Sequence, residues 1–216
     1  MATLLHIDSS VMTDTSVSRE LTAAFVREWQ AAHPDGTVLR RDLAAAPVPH
    51  LDAAGIVAGF VPADQRTAEQ QAAFALREEL ISELEEADAV VIGAPMYNFS
   101  VPSNLKAWID HVVLAGRTFG EGSTVAGTPV TVFAARGGSY APGSPREGHE
   151  FTTTYLEKVL SSLLGVSVDT VAAEFTLARV NPALAEFIET ADQLKEQALK
   201  EAAAKGREAA LAAAAA

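Results

Sequence analysis

The chain switches repeatedly between two hydrophobic periods, and this alternation restricts its fold more than any other feature. Residues 3–7 form a short apolar run that ends in Asp8-Ser9-Ser10, the pattern of a buried strand meeting a loop. From Val17 the period lengthens: Val17, Leu21, Ala24, Phe25 and Trp29 share one helical face until Pro34-Asp35-Gly36 stops it. Residues 37–43 predict a second strand. Residues 44–64 carry Pro47, Pro49, Gly55, Gly59 and Pro62, which predicts a long loop with room for one helical turn. Residues 68–86 read as a helix with Leu76, Leu80, Ile81 and Leu84 inward. Residues 88–94 are apolar through their middle, as a central parallel strand requires. Pro102 opens a helix that points Leu105, Trp108, Ile109, Val112 and Val113 to one side. Residues 129–135 and 166–176 predict two more strands. Between them Leu156, Val159, Leu160, Leu163 and Leu164 share a helical face. Residues 182–214 read as a last helix with Leu184, Phe187, Ile188, Ala191 and Leu194 inward.

Strands alternating with helices imply a parallel sheet covered on both faces. Right-handed crossovers then leave few topologies. Five strands fit a flavodoxin-like α/β three-layer sandwich with the order 2-1-3-4-5. One such domain is expected over residues 1–200. Ten of the 16 residues in 201–216 are alanine, and this tail is expected to be a fraying helix end or disordered, without chemistry.

Composition narrows the function. Sixteen basic against 28 acidic residues leave a net charge of −12, the wrong sign for a general nucleic-acid or anionic-membrane binder. Cysteine is absent, which removes disulfides, zinc thiolates, iron–sulfur clusters and cysteine nucleophiles. The start Met1-Ala2-Thr3-Leu4-Leu5-His6-Ile7-Asp8 lacks the basic and apolar regions of a secretion signal, so a cytoplasmic protein is expected. The histidines at 6, 33, 50, 111 and 149 have no metal-ligand spacing, and no metal site is expected. His111 is expected on a polar surface or a pocket rim.

Ligands of a doubly wound sheet sit beyond the carboxyl ends of its strands. Three loops reach that edge. The first, residues 9–18, is rich in hydroxyls and leads into a helix, whose free amides favour a phosphate; Ser9, Ser16 and Ser18 add hydroxyls. Helix capping accounts for the same residues, since Ser and Thr favour N-caps in any case. The second sets Tyr97 and Phe99 beside the Asn98 amide, a combination able to hold a planar heterocycle or to form an ordinary turn. In the third, Arg136 precedes Gly137-Gly138, a cation and close backbone donors suited to negative charge on such a ring, or a plain glycine turn. No G-x-G-x-x-G, Walker or G-x-S-x-G pattern is present.

The run Ala94-Pro95-Met96-Tyr97-Asn98-Phe99-Ser100-Val101-Pro102, continuing through Leu105-Lys106, Asp110 and Ala115-Gly116-Arg117-Thr118-Phe119, resembles the FMN-dependent NADH:azo compound oxidoreductases, or NADH:quinone oxidoreductases. The serine loop, Asp42-Leu43-Ala44, Pro47-Val48-Pro49 and Arg136-Gly137-Gly138 are similar to that family too. The resemblance implies a flavodoxin-like fold, noncovalent FMN, NADH or NADPH as cosubstrate, and a homodimer with sites at its interface. It implies two-electron ping-pong reduction of quinones and cleavage of aromatic azo compounds. By position, Ser9, Ser16, Val17 and Ser18 would hold the phosphate. Met96, Tyr97, Asn98 and Phe99 would line the ring, and Ala135, Arg136, Gly137 and Gly138 would close over its pyrimidine side. Phe119 would face the substrate. No side chain is an obligatory catalyst; Asn98, Gly137 and Gly138 would give electrostatic support. The competing readings are an FMN-binding electron carrier without turnover of its own and a flavin-free phosphatase using Asp8.

Overall fold

The structure, a computed structural model, describes residues 1–214. Five parallel strands, β1 (Thr3–Asp8), β2 (Thr37–Asp42), β3 (Ala89–Pro95), β4 (Pro129–Ala135) and β5 (Ser167–Ala173), form one sheet in the order β2-β1-β3-β4-β5. This is the expected order. The three inner strands alternate their side chains between two cores. Leu5, Ile7, Val90, Ile92, Val130 and Val132 face one; Leu4, Ala89, Val91 and Phe133 face the other. Every residue of β3 is buried.

Helices α1 (Val17–Ala32) and α6 (Ile188–Ala213) cover the second of these cores. The short α2 (Ala53–Ala58), then α3 (Ala68–Glu85), α4 (Ser103–Val112) and α5 (Thr152–Val159) lie on the side of the first. Local signals start these helices where the sequence places them. Ser16 caps α1 by accepting from the Arg19 amide, and Thr67 and Gln70 form a reciprocal capping box on α3. After α5 the chain continues through a π-helical turn, Leu160–Leu164, and stops at Gly165, which has φ +75°.

The differences from expectation lie in the helices. On α3, Leu76 is only half-buried, whereas Phe74 and Arg77 go inside. Arg77 donates to the carbonyls of His111 and Val113 at the end of α4 and to that of Gly55, so it closes orphan acceptors rather than meeting a carboxylate. His111 is not at a surface or rim. It is 4 % exposed, its Nε2 lies 3.0 Å from the Pro49 carbonyl, and burial holds its pKa below the usual value.

The last helix differs most. Residues Pro182–Phe187 form a 3₁₀ turn, and none of the five side chains expected inward is fully buried. The face that packs is Ala198, Ala202, Gly206 and Ala210, laid against α1. The expected tail from 201 onward is therefore a packed helix as far as Ala213, and residues 215 and 216 of it lie outside the described residues. Small residues every fourth position let the two backbones approach closely. A Cβ at Gly206 would lie 2.4 Å from the Phe25 carbonyl oxygen. Gly206→Ala must push the helices apart, at a cost of about 1–3 kcal/mol. Its thermal midpoint is expected to fall by about 2–4 °C for each kcal/mol. An unchanged midpoint in a circular-dichroism melt would contradict this packing.

Candidate functional site

The carboxyl ends of β1, β3 and β4 bring the three loops together. Loops one and two meet at Tyr97, whose phenol oxygen accepts from the Val11 amide at 3.2 Å and lies 3.4 Å from Ser10 Oγ. Asn104 on α4 adds a bond from Nδ2 to the Ser9 carbonyl. Loops two and three meet where the Met96 amide donates to the Ala135 carbonyl, and where the Phe99 ring packs edge-on against Tyr140.

Loop one ends in an open helix start. The amides of Val17 and Ser18 have no acceptor among the described residues, so they are free for an anion. Ser16 and Ser18 hydroxyls lie 3.1 Å apart at the same end. Ser9 is arranged differently from expectation. It is fully buried and gives its one proton to the Gly93 carbonyl at 2.6 Å, so it is not a ready phosphate donor.

In loop two, Tyr97 and Ser100 exchange both backbone hydrogen bonds around Asn98 (φ +50°) and Phe99 (φ +70°). Positive φ at both central positions is the signature of a type I′ turn. A phenylalanine there is unusual, and its ring stays 38 % exposed rather than joining the core.

In loop three, the carbonyls of Arg136, Gly137 and Gly138 accept from Thr176, Leu177 and Phe175 beyond β5. The Gly137 and Gly138 amides have no acceptor among the described residues. A Cβ on Gly137 would meet Leu177 Cδ1 at 2.7 Å, whereas Gly138 borders open space. The Arg136 side chain does not face a ligand. Its guanidinium lies 3.3 Å from Glu174 and 3.6 Å from Glu150 and donates to Thr153 Oγ1. Ala135 is buried and contributes its carbonyl alone.

A cavity of about 890 Å³ opens beside these loops, lined by Met96, Asn98, Phe99, Gly137 and Gly138, with further walls that include Tyr140, Arg146, Phe175, Leu177 and Phe187. Five of the expected ring-binding positions, Met96, Asn98, Phe99, Gly137 and Gly138, thus share one space, with Tyr140, Phe175 and Phe187 as further aromatic walls. Tyr97 lines a neighbouring cavity with Lys106 and Tyr155. Phe119 is not brought to either. It lines a third cavity, of about 630 Å³, with Phe60 and Ile56.

A model of the flavodoxin-like fold family matches residues 2–204. The chain is 54 % identical over 209 residues to a protein of Streptomyces coelicolor named FMN-dependent NADH:quinone oxidoreductase, covering 96 % of this chain and 95 % of that one. A protein of Streptomyces avermitilis with the same name is 54 % identical over 210 residues, 96 % of this chain and 97 % of its own length. The crystal structure of an azoreductase from Bacillus anthracis superposes with a TM-score of 0.81 at 26 % identity, covering 96 % of this chain and all of that one. The chain belongs to the FMN-dependent NADH:quinone oxidoreductase family.

In this member of the family, two charged groups that sequence reasoning missed hold the loops in place. Arg19 donates to both Asp42 carboxylate oxygens at 2.7 Å and to the Ser10 carbonyl, and lies 3.5 Å from Asp8. Asp8 and Asp42 are partners in the β1–β2 register, so their carboxylates end side by side and need this cation. Asp8 also accepts from Thr22 and lies 3.1 Å from His6 Nε2. That is the environment of an anchor, not of a free nucleophile. Glu174 does the same for loop three, accepting from Ser139 Oγ at 2.7 Å and the Tyr140 amide at 3.0 Å besides Arg136. The Asp8–Asp42 pairing was a findable signal, because two acids ending adjacent strands demand a neutralising base. Glu174 had none.

The Arg19 bonds, aided by the amides of Ala44 and Ala45, hold the Asp42 carboxyl at about 2. A lowered folded-state pKa stabilises above the unfolded value of about 3.9 and is lost as pH falls from there toward 2. Asp42→Asn is expected to be less stable than wild type by a constant margin from pH 7 to 5, with the margin closing between about pH 4 and 2. Urea unfolding at a series of pH values measures it; a margin that persists at pH 2 would refute the assignment.

Proposed function

We propose that the chain is an FMN-dependent NAD(P)H oxidoreductase that reduces quinones and reductively cleaves aromatic azo compounds. The observation that carries this reading is the convergence of an open helix start, an aromatic turn and two glycine amides without an acceptor among the described residues at one edge of the sheet, where the turn and the glycines line one cavity. The relatives' names supply the cofactor and the substrate class. The residues fit the cofactor: bare amides for a phosphate, and open space at Gly138 where a side chain would intrude on a flat ring.

In this reading the amides of Val17 and Ser18, with the Ser16 and Ser18 hydroxyls, hold the phosphate. Met96, Asn98 and Phe99 support the ring system. The Gly137 and Gly138 amides present fixed dipoles to its polar edge, where they favour added negative charge. The bound FMN supplies the two-electron chemistry. The wall at Tyr140 keeps water off the ring. No side chain acts as an obligatory acid or base, so solvent supplies the protons.

A homodimer belongs to the same proposal. Phe60 is 77 % exposed, and Ile56 and Phe119, which line the same cavity, are about half-exposed, an apolar cluster of the kind that marks an interface. Pairing through it would take Phe119 away from its own cavity and toward the partner's acceptor. No helix among the described residues is long and apolar enough to cross a membrane. A cytoplasmic setting belongs to the same proposal, and the cysteine-free sequence fits it.

The test is an absorbance spectrum of the FMN-reconstituted protein before and after anaerobic NADH. Bands near ~450 nm that bleach at once are expected, because the redox chemistry belongs to the cofactor. Flavin that binds without bleaching would make the chain an electron carrier needing a separate reductase. A second expectation concerns the site itself: Gly137→Val, which collides with Leu177, and Tyr97→Ala, which unties loop one, should both lose FMN on gel filtration while staying folded. Full flavin occupancy in both variants would refute the assigned contacts.

A further inference from the structure

One wall of the large cavity is not used by any of the cofactor contacts above. It is formed after β5, where the rings of Phe175 and Phe187 stack with centroids 4.7 Å apart and planes 18° from parallel. Both rings line the same cavity as Met96, Asn98 and Gly138, and both residues are half-buried.

Phe175 sits at φ +55°, a left-handed conformation that bulky side chains rarely adopt. Its backbone is held there from both sides: its amide donates to the Gly138 carbonyl at 3.3 Å, and its carbonyl accepts from Ala178 at 2.9 Å. Glycine would meet the same backbone requirement without strain, so a ring at this position works against the local conformational preference. Phe187 closes the 3₁₀ turn Pro182–Phe187, whose start is capped by the Asn181 side chain. The turn therefore braces the outer ring, and the outer ring braces Phe175. The pair is a fixed apolar plate, already ordered before anything binds, and its backbone is bonded directly to the glycine loop.

We propose that Phe175, braced by Phe187, selects the electron acceptor: the plate stacks on the acceptor's ring system and favours fused two-ring acceptors over single-ring ones. The inference rests on the oxidoreductase reading above. Its physical basis is that stacking strength grows with overlapped ring area and prefers offset parallel rings. A two-ring acceptor can lie over the reacting centre and still reach the plate, whereas a one-ring acceptor of the same chemistry offers less surface to it.

The experiment compares wild type, Phe175→Gly and Phe187→Ala, each loaded with FMN. Turnover with NADH gives kcat/KM for 1,4-naphthoquinone and 1,4-benzoquinone. Calorimetry gives the affinity of the redox-inert pair 1,4-dimethoxynaphthalene and 1,4-dimethoxybenzene, so binding is read without catalysis. Both variants are expected to lower the two-ring over one-ring preference about three- to tenfold in each measurement, with FMN affinity held within about twofold. Phe175→Gly suits the backbone at 175 and keeps the test open if Phe187→Ala unfolds. A ratio equal to wild type in Phe175→Gly overturns the proposal, as does FMN loss in that variant, which would make the plate a cofactor contact. A wild type that NADH fails to reduce overturns the oxidoreductase reading and the inference with it; a wild type that turns over while the ratio stays put overturns the inference alone.

Discussion

Burial of β1, β3 and β4 on both faces is the constraint from which the rest of the molecule follows. Leu5, Ile7, Val90 and Ile92 fill one core while Leu4, Ala89 and Val91 fill the other, so no ligand can reach the sheet through a face. Polar chemistry is possible only where these strands end. The change in direction of the strand order between β1 and β3 separates the following connections and leaves a crevice at that edge. Hydroxyls, glycines and aromatic residues of loops 9–18, 95–102 and 135–140 are concentrated there because that is the one place in the fold where they are not excluded by the core.

Keeping three loops in register at an exposed edge requires attachments, and the charged side chains near the site are used for this. Arg19 spans Asp8, Asp42 and the Ser10 carbonyl; Glu174 gathers Arg136, Ser139 and the Tyr140 amide. Arg19, Asp8, Arg136 and Glu174 are largely removed from solvent, while Asp42 stays partly exposed. Cutting one partner from such a network strands the remaining charge, which is costlier than never having had the pair. Side-chain charge fixes the loops, and the backbone amides of residues 17, 18, 137 and 138 have no acceptor among the described residues. An amide cannot titrate, so donors of this kind keep the same polarity at every working pH.

The fold was legible because strand and helix periods are local properties. Runs such as Ala89–Pro95 and helix faces such as Leu105–Trp108–Ile109 identify themselves without knowledge of their partners. The candidate loops were legible for a similar reason, since hydroxyl-rich, aromatic and glycine-rich stretches at strand ends stand out in one dimension. Direction of side chains was not. Arg136 reads as a cation beside a glycine loop, yet Glu174 and Glu150 turn it inward from 38 and 14 residues away. Ser9 reads as a phosphate donor, yet Gly93 on the adjacent strand takes its proton. The alanine-rich end misled for the opposite reason. A row of small residues carries almost no hydrophobic signal, and its meaning, a close helix–helix contact against Phe25, exists only once α1 is beside it.

The distribution of left-handed residues separates turns that merely reverse the chain from turns that shape the cavity. Glycines at 116, 120, 122, 127, 143, 148 and 165 take positive φ at no steric cost. Among the described residues only Asn98, Phe99 and Phe175 take it with a side chain, and all three line the same cavity. Strained backbone of this kind costs on the order of 1–3 kcal/mol per residue, and it persists only where the surroundings over-determine it. Here the Tyr97–Ser100 pair, the Gly138 carbonyl and the stacked Phe187 ring do so. The stability that tolerates this is generated elsewhere, in the two cores and in the tight α1–α6 contact. Substituting glycine at 99 or 175 would relax the backbone and remove an aromatic surface in one step, so at these positions stability and ligand contact pull in opposite directions.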